Sequence, residues 1–266
     1  MIRDITLGQY FPGDSVIHRL DPRTKIIWTF FYIILLFFMK TAVGFAAFIA
    51  LTAVIIALTK IKVKYILRGI KPVLFLLIFT SLINIFMTGE TPLFKIWFLT
   101  ATKEGVIFAA LMALRLVLLV AGTSLLTFTT SPISLTDGIE RLMSPFSKIG
   151  VPAHAIAMMM TIAIRFIPTI LEETDKIMKA QKARGADFES GSIVSRARAM
   201  TPILIPLFIS AFRRADELAI AMECRCYRGG EGRTRLHELK MQKRDIAALL
   251  SMPFVAAVII LIQKMF

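Results

Sequence analysis

Long apolar segments are the feature of this sequence that most restricts its fold. A helix needs about 20 mainly apolar residues to cross the ~30 Å hydrocarbon core of a membrane. The segments that meet or approach this length are Ile26–Met39, Ala42–Thr59, Pro72–Met87, Val106–Phe128 and Ile246–Ile262. The chain is also 56% hydrophobic, above the roughly 45–50% of soluble domains. The sequence therefore predicts an all-α integral membrane protein with about five transmembrane helices.

Positive charge is distributed unevenly along the chain. Of the 32 Lys and Arg residues, 18 lie between Thr130 and Asp245. The loop between the second and third segments carries five more and no acid: Lys60, Lys62, Lys64, Arg68 and Lys71. Because cytoplasmic loops carry an excess of Lys and Arg, we expect the N-terminus, this loop and the region 130–245 to be cytoplasmic. Topology thus accounts for most of the net charge of +14, and without an aromatic–basic stacking platform we expect no nucleic-acid partner.

Three regions follow from this topology. Residues 1–129 form an N-terminal membrane part with four transmembrane helices, residues 130–245 a long cytoplasmic region, and residues 246–266 a C-terminal transmembrane helix. In the cytoplasmic region, apolar spacing predicts a short amphipathic helix over 134–148 and long helices over about 154–184 and 202–227. Ala211, Ala215 and Ala219 form a ladder of small residues on the second long helix. Such a ladder lets another backbone approach closely, so we expect the two long helices to cross in contact.

Both long helices end in a motif that contains an arginine. The motifs are Ala183-Arg184-Gly185 and Glu223-Cys224-Arg225-Cys226-Tyr227, with the arginines 41 residues apart. An arginine in the last turn complements the negative end of the helix dipole, worth about 0.3–1 kcal/mol, which accounts for either arginine alone. The dipole effect explains less well why both long helices end in a matched arginine motif. The planar guanidinium can also bind a carboxylate through two hydrogen bonds. The two arginines therefore suggest binding sites for two similar acidic partners.

Other polar residues give weaker indications. Arg115 lies nine residues into its apolar segment, where it would be costly facing lipid; a structural interhelical role is favoured over a substrate role. Cys224 and Cys226 lack the further Cys or His ligands that a metal site needs. The sequence contains no phosphate-binding loop and no zinc-protease motif. An integral-membrane enzyme acting on a lipid-like substrate stays an alternative, although it would need acids or histidines clustered at membrane depth.

Several short motifs occur in a characteristic order: Leu20-Asp21-Pro22-Arg23-Thr24-Lys25, Arg115 with Thr127-Phe128-Thr129-Thr130, Arg165-Phe166-Ile167-Pro168, Ala183-Arg184-Gly185 and Cys224-Arg225-Cys226-Tyr227. Over nearly its whole length the chain resembles the transmembrane T component of energy-coupling factor transporters, which are ATP-binding-cassette importers of vitamins and transition metals in prokaryotes. The second arginine motif of that family usually reads Ala-Arg-Gly. Here it reads Cys224-Arg225-Cys226, with the arginine and Tyr227 retained.

The resemblance implies a division of labour among subunits. The long helices would be coupling helices that cross as an X, and the motifs at Ala183–Gly185 and Cys224–Cys226 would each dock on one of two ATPases. Neighbouring side chains expected to support this docking are Glu223, Tyr227 and Arg228. A membrane-embedded substrate-binding S component would contact a surface formed by Met158, Met159, Ala163, Phe208, Ala211 and Ala215. We expect no catalytic residue, metal or cofactor in this chain, ATP and magnesium in the partner ATPases, and a multi-pass location in the prokaryotic plasma membrane.

Overall fold

The computed structural model describes residues 10–87, 92–96, 99–188, 190, 192–229 and 239–265. These residues fall into two compact units, which are considered separately. The bundle unit contains the described residues up to Gly138 together with those from Leu239 onward. The helical-pair unit contains the described residues from Ile139 to Gly229.

Helices dominate both units. In chain order they are α1 (Pro22–Phe37), α2 (Ala42–Thr59), α3 (Val63–Ile70), α4 (Leu74–Met87), α5 (Lys103–Thr129), α6 (Pro132–Met143), α7 (Ala153–Ala183), α8 (Ile193–Cys224) and α9 (Lys243–Met265). Two 3₁₀ helices, Lys71–Val73 and Ser144–Ile149, follow α3 and α6. In the described residues, the strands are β1 (Pro92–Ile96) and β2 (Leu99–Thr102), an antiparallel pair in which Lys95 lies opposite Thr100. Apart from this hairpin, the predicted all-α class is confirmed.

Five helical segments in the described part of the chain have the length and apolarity to cross a membrane. They are Ala42–Thr59, Val63–Phe86, Lys103–Thr129, Ala153–Ala183 and Lys243–Met265. The number agrees with the prediction, but the set differs: it includes α7 and leaves out α1. With 16 residues, α1 is about 24 Å long. The first half of α7 is apolar enough to qualify, whereas its second half carries the charged residues from Glu172 onward.

A hydrogen-bonded junction joins the start of α1 to the region around the start of α9. Asp21 caps α1 by accepting from the Arg23 amide at 2.9 Å, and its two oxygens accept from the Arg23 guanidinium at 3.0 and 2.9 Å. Asp245 accepts from the Asp21 amide at 2.7 Å, and Arg23 donates to the Leu239 carbonyl at 3.0 Å. Burial alone would raise the pKa of Asp21, but the hydrogen bonds and charge of Arg23 outweigh it and hold the pKa below its ordinary value. The ionised Asp21 carboxylate thus caps α1 and holds Arg23, while the Asp245 carboxylate ties the start of α9 to the Asp21 amide.

The largest buried cluster of the bundle unit comes from α1, α2, α5 and α9, and includes Met39 just after the end of α1. Its members are Tyr32, Leu35, Leu36, Met39, Phe45, Phe48, Leu118 and Ile259. The Tyr32 hydroxyl donates to the Leu118 carbonyl at 2.9 Å and lies 3.0 Å from the Thr52 hydroxyl. A Cβ atom at Gly122 would lie 2.2 Å from the Tyr32 ring. Glycine is therefore required where α5 passes the ring.

Two predicted helices have different bounds in the structure. The second long helix begins at Ile193, well before the expected Pro202, because Ser192 caps it through the Ser195 amide and the helix continues through both prolines. The predicted helix 134–148 is instead an α-helix that ends at Met143 and a 3₁₀ helix that carries Pro145.

The first segment of the bundle unit ends at Gly138, whereas the N-terminal membrane part is predicted to end at residue 129. The first half of α6 packs on α1, since a Cβ at Gly138 would lie 3.0 Å from Pro22. Likewise the C-terminal part joins the bundle unit before residue 246, because Leu239 and Asp245 bond to the start of α1.

Candidate functional site

The end of α7, Ala183–Ala186, is a regular helix stop built around Gly185. Arg184 is the capping residue, and Gly185 follows with φ of +88°. The Gly185 amide donates to the Lys182 carbonyl at 3.0 Å, and the Ala186 amide donates to the Gln181 carbonyl at 3.0 Å. This pair of bonds defines the Schellman motif, in which a left-handed residue reverses the chain and satisfies the last carbonyls.

The end of α8, Cys224–Tyr227, has the same geometry with a different residue in the left-handed position. Arg225 is the capping residue, and Cys226 has φ of +55°. The Cys226 amide donates to the Glu223 carbonyl at 2.8 Å, and the Tyr227 amide donates to the Met222 carbonyl at 3.0 Å. Cys226 therefore occupies the structural place of Gly185, and Arg225 that of Arg184.

Both arginine side chains are presented to the outside of the unit. Arg184 and Arg225 are exposed, and neither side chain has a hydrogen-bond or ion-pair partner within the described ranges. Glu223 and Arg228 are exposed beside Arg225. Cys224 and Cys226 are exposed free thiols. In the described residues no group of His, Cys, Asp or Glu could hold a metal ion. Chemically, each end offers an accessible guanidinium fork that suits a carboxylate or another planar acceptor.

The two arginine ends lie at opposite ends of the α7–α8 pair. Arg214 on α8 donates to Glu173 on α7 at 2.9 Å, while the hydroxyl of Tyr227 lies 3.0 Å from the sulfur of Met158. Residue numbers thus rise along one helix as they fall along the other, so the helices run in opposite directions. Arg225 is two residues from Tyr227, and Arg184 lies 26 residues beyond Met158, so the arginines are separated by about 40 Å at 1.5 Å per residue.

Tyr227 fastens the end of α8 to the start of α7. Its hydroxyl lies 3.3 Å from Nε2 of His154, whose Nδ1 lies 3.0 Å from the Glu140 carboxylate. The Tyr227 side chain thereby links α6, α7 and α8 within the helical-pair unit. His154 and Glu140 are not predicted from the sequence, because an isolated histidine and a glutamate 14 residues apart give no local signal of such a network.

The residues predicted to contact an S component are mostly exposed. Met159 is 61% and Phe208 63% exposed, and Ala163, Ala211 and Ala215 are also exposed, whereas Met158 is half-buried beside Tyr227. The alanine ladder was expected to pack on α7. Its side chains are exposed, so that expectation is wrong. The less exposed stripe of α8 is displaced by one residue: Ile203, Leu207, Ser210, Arg214, Leu218 and Met222.

Arg115 lies in the bundle unit, separate from the helical pair. Its Nη2 donates to the Met39 carbonyl at 2.6 Å, which links α5 to the residues between α1 and α2. The guanidinium also lies over the rings of Phe37 and Phe45, at 5.8 and 5.6 Å from their centroids. Arg115 thus joins helices through a carbonyl and two aromatic rings.

Comparison with known proteins gives a consistent result. The CbiQ family model, described as a cobalt transport protein, matches residues 13–236. The energy-coupling factor transporter transmembrane protein EcfT of Clostridium kluyveri is 60% identical over 252 residues, which are 94% of this chain and 93% of the relative. The protein of the same name from Bacillus subtilis is 43% identical over 264 residues, 99% of this chain and 100% of the relative.

These matches, together with the apolar helices, define a multi-pass membrane component of a transporter. The chain belongs to the family of the transmembrane proteins of energy-coupling factor transporters. The resemblance drawn from the sequence motifs is thereby confirmed.

Proposed function

We propose that this chain is the scaffold and energy-coupling subunit of an energy-coupling factor importer. In this proposal it transmits the ATP-driven motion of two ATPases to a substrate-binding S component, for the uptake of vitamins or other micronutrients. The observation that carries the proposal is the presence of two helix ends with the same hydrogen-bond pattern, each with an exposed arginine at the same structural position. Equivalent ends suit equivalent partners, as two homologous ATPases would be.

The separation of the arginines supports two docking sites rather than one. A globular domain of about 200 residues has a radius of gyration near 16 Å and hence a diameter of about 40 Å. The arginines are separated by about the same distance along α7. Two such domains lying side by side would therefore each meet one end of the pair. A single small domain could not easily contact both.

Charge and exposure support docking through carboxylates. The guanidinium groups of Arg184 and Arg225 can each form two parallel hydrogen bonds with a carboxylate. No described side chain competes for them. ATP and magnesium would be bound by the ATPases, and the neighbouring Tyr227 would hold the α8 end rigid through His154 and Met158.

The exposed face of α8 supports contact with an S component. Phe208 and Phe212 stack with their ring centroids 6.4 Å apart, and Ala211 and Ala215 are exposed nearby. Aromatic side chains next to small ones form a surface on which an apolar helix can pack closely. Exposed Met159 would add an adaptable side chain from α7. The membrane orientation in this proposal is the one that the basic loop residues favour, with the helical-pair unit on the cytoplasmic side of a prokaryotic plasma membrane.

The decisive experiment reverses the charge at each end. Arg184→Glu and Arg225→Glu are each expected to weaken binding of one ATPase by about 2–5 kcal/mol, because the carboxylate partner would be left unpaired and repelled. The matched control is Arg198→Glu, which reverses an exposed arginine of α8 outside the motifs. The measurements are the amounts of both ATPases that co-purify with the chain and the ATP-driven uptake into proteoliposomes.

The outcomes separate this proposal from its rivals. Each single variant should lose about half of the bound ATPase, and the double variant nearly all of it, with the control unchanged. Normal assembly and uptake in both single variants would contradict the proposal. Turnover of a lipid-like substrate by the purified chain alone would instead favour the membrane-enzyme alternative.

A further inference from the structure

Arg115 carries a positive charge that the described residues only partly compensate. Its Nη2 donates to the Met39 carbonyl at 2.6 Å, and its Nη1 lies 3.7 Å from the sulfur of Met112. Its Nε is buried and has no hydrogen-bond partner within the described ranges. The rings of Phe37 and Phe45 lie beside the guanidinium, but no described carboxylate pairs with it. A buried, unsatisfied donor on a charged group is costly, so the site lacks an acceptor.

A pocket of about 280 Å³ opens beside this guanidinium. Lys40 and Arg115 are its two charged lining residues, and the rest of its described lining is apolar, including Phe37, Phe45 and Phe108. Lys40 is exposed. At about 30 Å³ per water molecule, the volume corresponds to roughly nine waters, enough for a phosphate and the glycerol that carries it. The chemistry of the pocket is thus that of an anion site with apolar walls.

The depth of the pocket can be read from two contacts between α1 and α5. At one end of the bundle, Lys25 donates to the Thr129 carbonyl at 2.8 Å. At the other end, Arg115 reaches Met39. Lys25 and Met39 are 14 residues apart, and so are Arg115 and Thr129. Each separation corresponds to about 21 Å of helix. This is thinner than the ~30 Å hydrocarbon core.

A bilayer adjusts to a short hydrophobic element by thinning locally. Beside α1, which is only 16 residues long, the headgroups of the nearer leaflet would lie deeper than beside the longer helices α5 and α9. Lys40, next to the end of α1, would then lie at the same level. The thin region therefore brings lipid phosphates to the place where the protein presents two cations.

We propose that this pocket binds the phosphate of an anionic phospholipid, in the leaflet opposite the Lys60–Lys71 loop. The Arg115 guanidinium and the Lys40 ammonium would donate to the phosphate oxygens, forming charge-assisted hydrogen bonds. The apolar walls around Phe37, Phe45 and Phe108 would contact the glycerol and the first part of an acyl chain. That this leaflet is the outer one rests on the membrane orientation in the proposed function. The site itself does not depend on the coupling role.

The test uses the full chain in nanodiscs that contain phosphatidylglycerol or phosphatidylcholine carrying a photoreactive headgroup. The measured quantity is the crosslink yield on the peptide that contains Phe108 and Met112. In the unmodified chain, phosphatidylglycerol should crosslink about tenfold more than phosphatidylcholine, and Arg115→Gln should reduce this yield about tenfold. Lys62→Gln is the matched control, since it removes an exposed lysine from the opposite end of the bundle, and should leave the yield unchanged.

A second variant guards against a folding defect in Arg115→Gln. Lys40→Gln removes the exposed cation and should lower the yield about two- to fivefold without loss of folded protein. Equal yields from the two lipids, or unchanged yields in both variants, would overturn the proposal. Competition by inorganic phosphate at the lipid's own concentration would indicate a free-anion site instead. Loss of the crosslink in the transporter assembled with its partner subunits would assign the anion to a partner carboxylate.

Discussion

Replacing Cys226 by glycine tests whether the two arginine ends are structurally equivalent. Cys226 has φ of +55°, in the left-handed region that glycine occupies at the α7 end. Side chains with a Cβ atom are strained there, whereas glycine is not. We therefore expect Cys226→Gly to stabilise the last turn of α8 and to leave the position of Arg225 unchanged.

The size of the effect follows from two opposing contributions. Removing the Cβ atom relieves about 1–2 kcal/mol of left-handed strain. The greater freedom of glycine in the unfolded chain offsets about 0.5–1 kcal/mol of this. The net stabilisation is about 1 kcal/mol, which is roughly a fivefold change in the local opening equilibrium, since 1.36 kcal/mol corresponds to a factor of ten.

Amide hydrogen exchange measures this opening directly. The amides of residue 226 and Tyr227 donate to the Glu223 and Met222 carbonyls, so both should exchange about fivefold more slowly in the variant. Gly185→Ala is the mirror variant: φ at Gly185 is +88° and a Cβ would meet nothing within 4 Å. The same two contributions then act with reversed sign, and the amides of residues 185 and 186 should exchange about fivefold faster.

The control and the contrary result are equally definite. Cys224→Ala changes a thiol in the last helical position, where φ is not left-handed, and should alter exchange by less than about twofold. Unchanged or faster exchange in Cys226→Gly would show that Cys226 is not strained and that the two ends differ in geometry. The equivalence of the two docking sites would then lose its structural basis.

Three further predictions concern the bundle unit and are checked by thermal or denaturant unfolding in detergent. Gly122→Ala should destabilise it by about 1–3 kcal/mol, because the new Cβ would lie 2.2 Å from the Tyr32 ring and force it from its hydrogen bonds; no change would mean that the ring can move freely. Asp245→Asn should cost about 1–3 kcal/mol, because an amide group cannot accept at both ends from the two backbone amides that the carboxylate binds, and full stability would refute that role. Arg23 holds the pKa of Asp21 below its ordinary value, so the ionised carboxylate stabilises the fold at neutral pH. This contribution is lost as the pH falls below about 4. Asp21→Asn should therefore make the free energy of unfolding less dependent on pH in that acid range.

Much of this fold could be predicted from the sequence because apolar length and helix-end chemistry are local signals. Ala42–Thr59 was predicted with the bounds that the structure gives to α2. The stop at Ala183 followed from Gly185, which is suited to the left-handed position. The cap formed by Asp21 with Pro22 behind it also follows from the residues alone. In each case the residues that define the element are neighbours in the chain.

The errors arose where tertiary contacts decide. The predicted start of the second long helix near Pro202 is wrong, because the capping bond of Ser192 begins α8 at Ile193 and the helix continues through the proline. The alanine ladder was assigned to the α7 contact on spacing alone, and the side chains that face inward lie one residue away. A helical pattern fixes which residues share a face, but not which of two adjacent faces meets the partner.

That displacement gives the exposed face of α8 a different meaning. If Ala211 and Ala215 packed on α7, their small size would serve the pair itself. Because they remain exposed beside Phe208 and Phe212, the surface that would let a backbone approach closely is still available to another chain. Meanwhile the α7–α8 contact uses the half-buried Arg214–Glu173 ion pair. A partner that packs on this exposed face of α8 would therefore leave the α7–α8 contacts in place, because the two faces of α8 use different side chains.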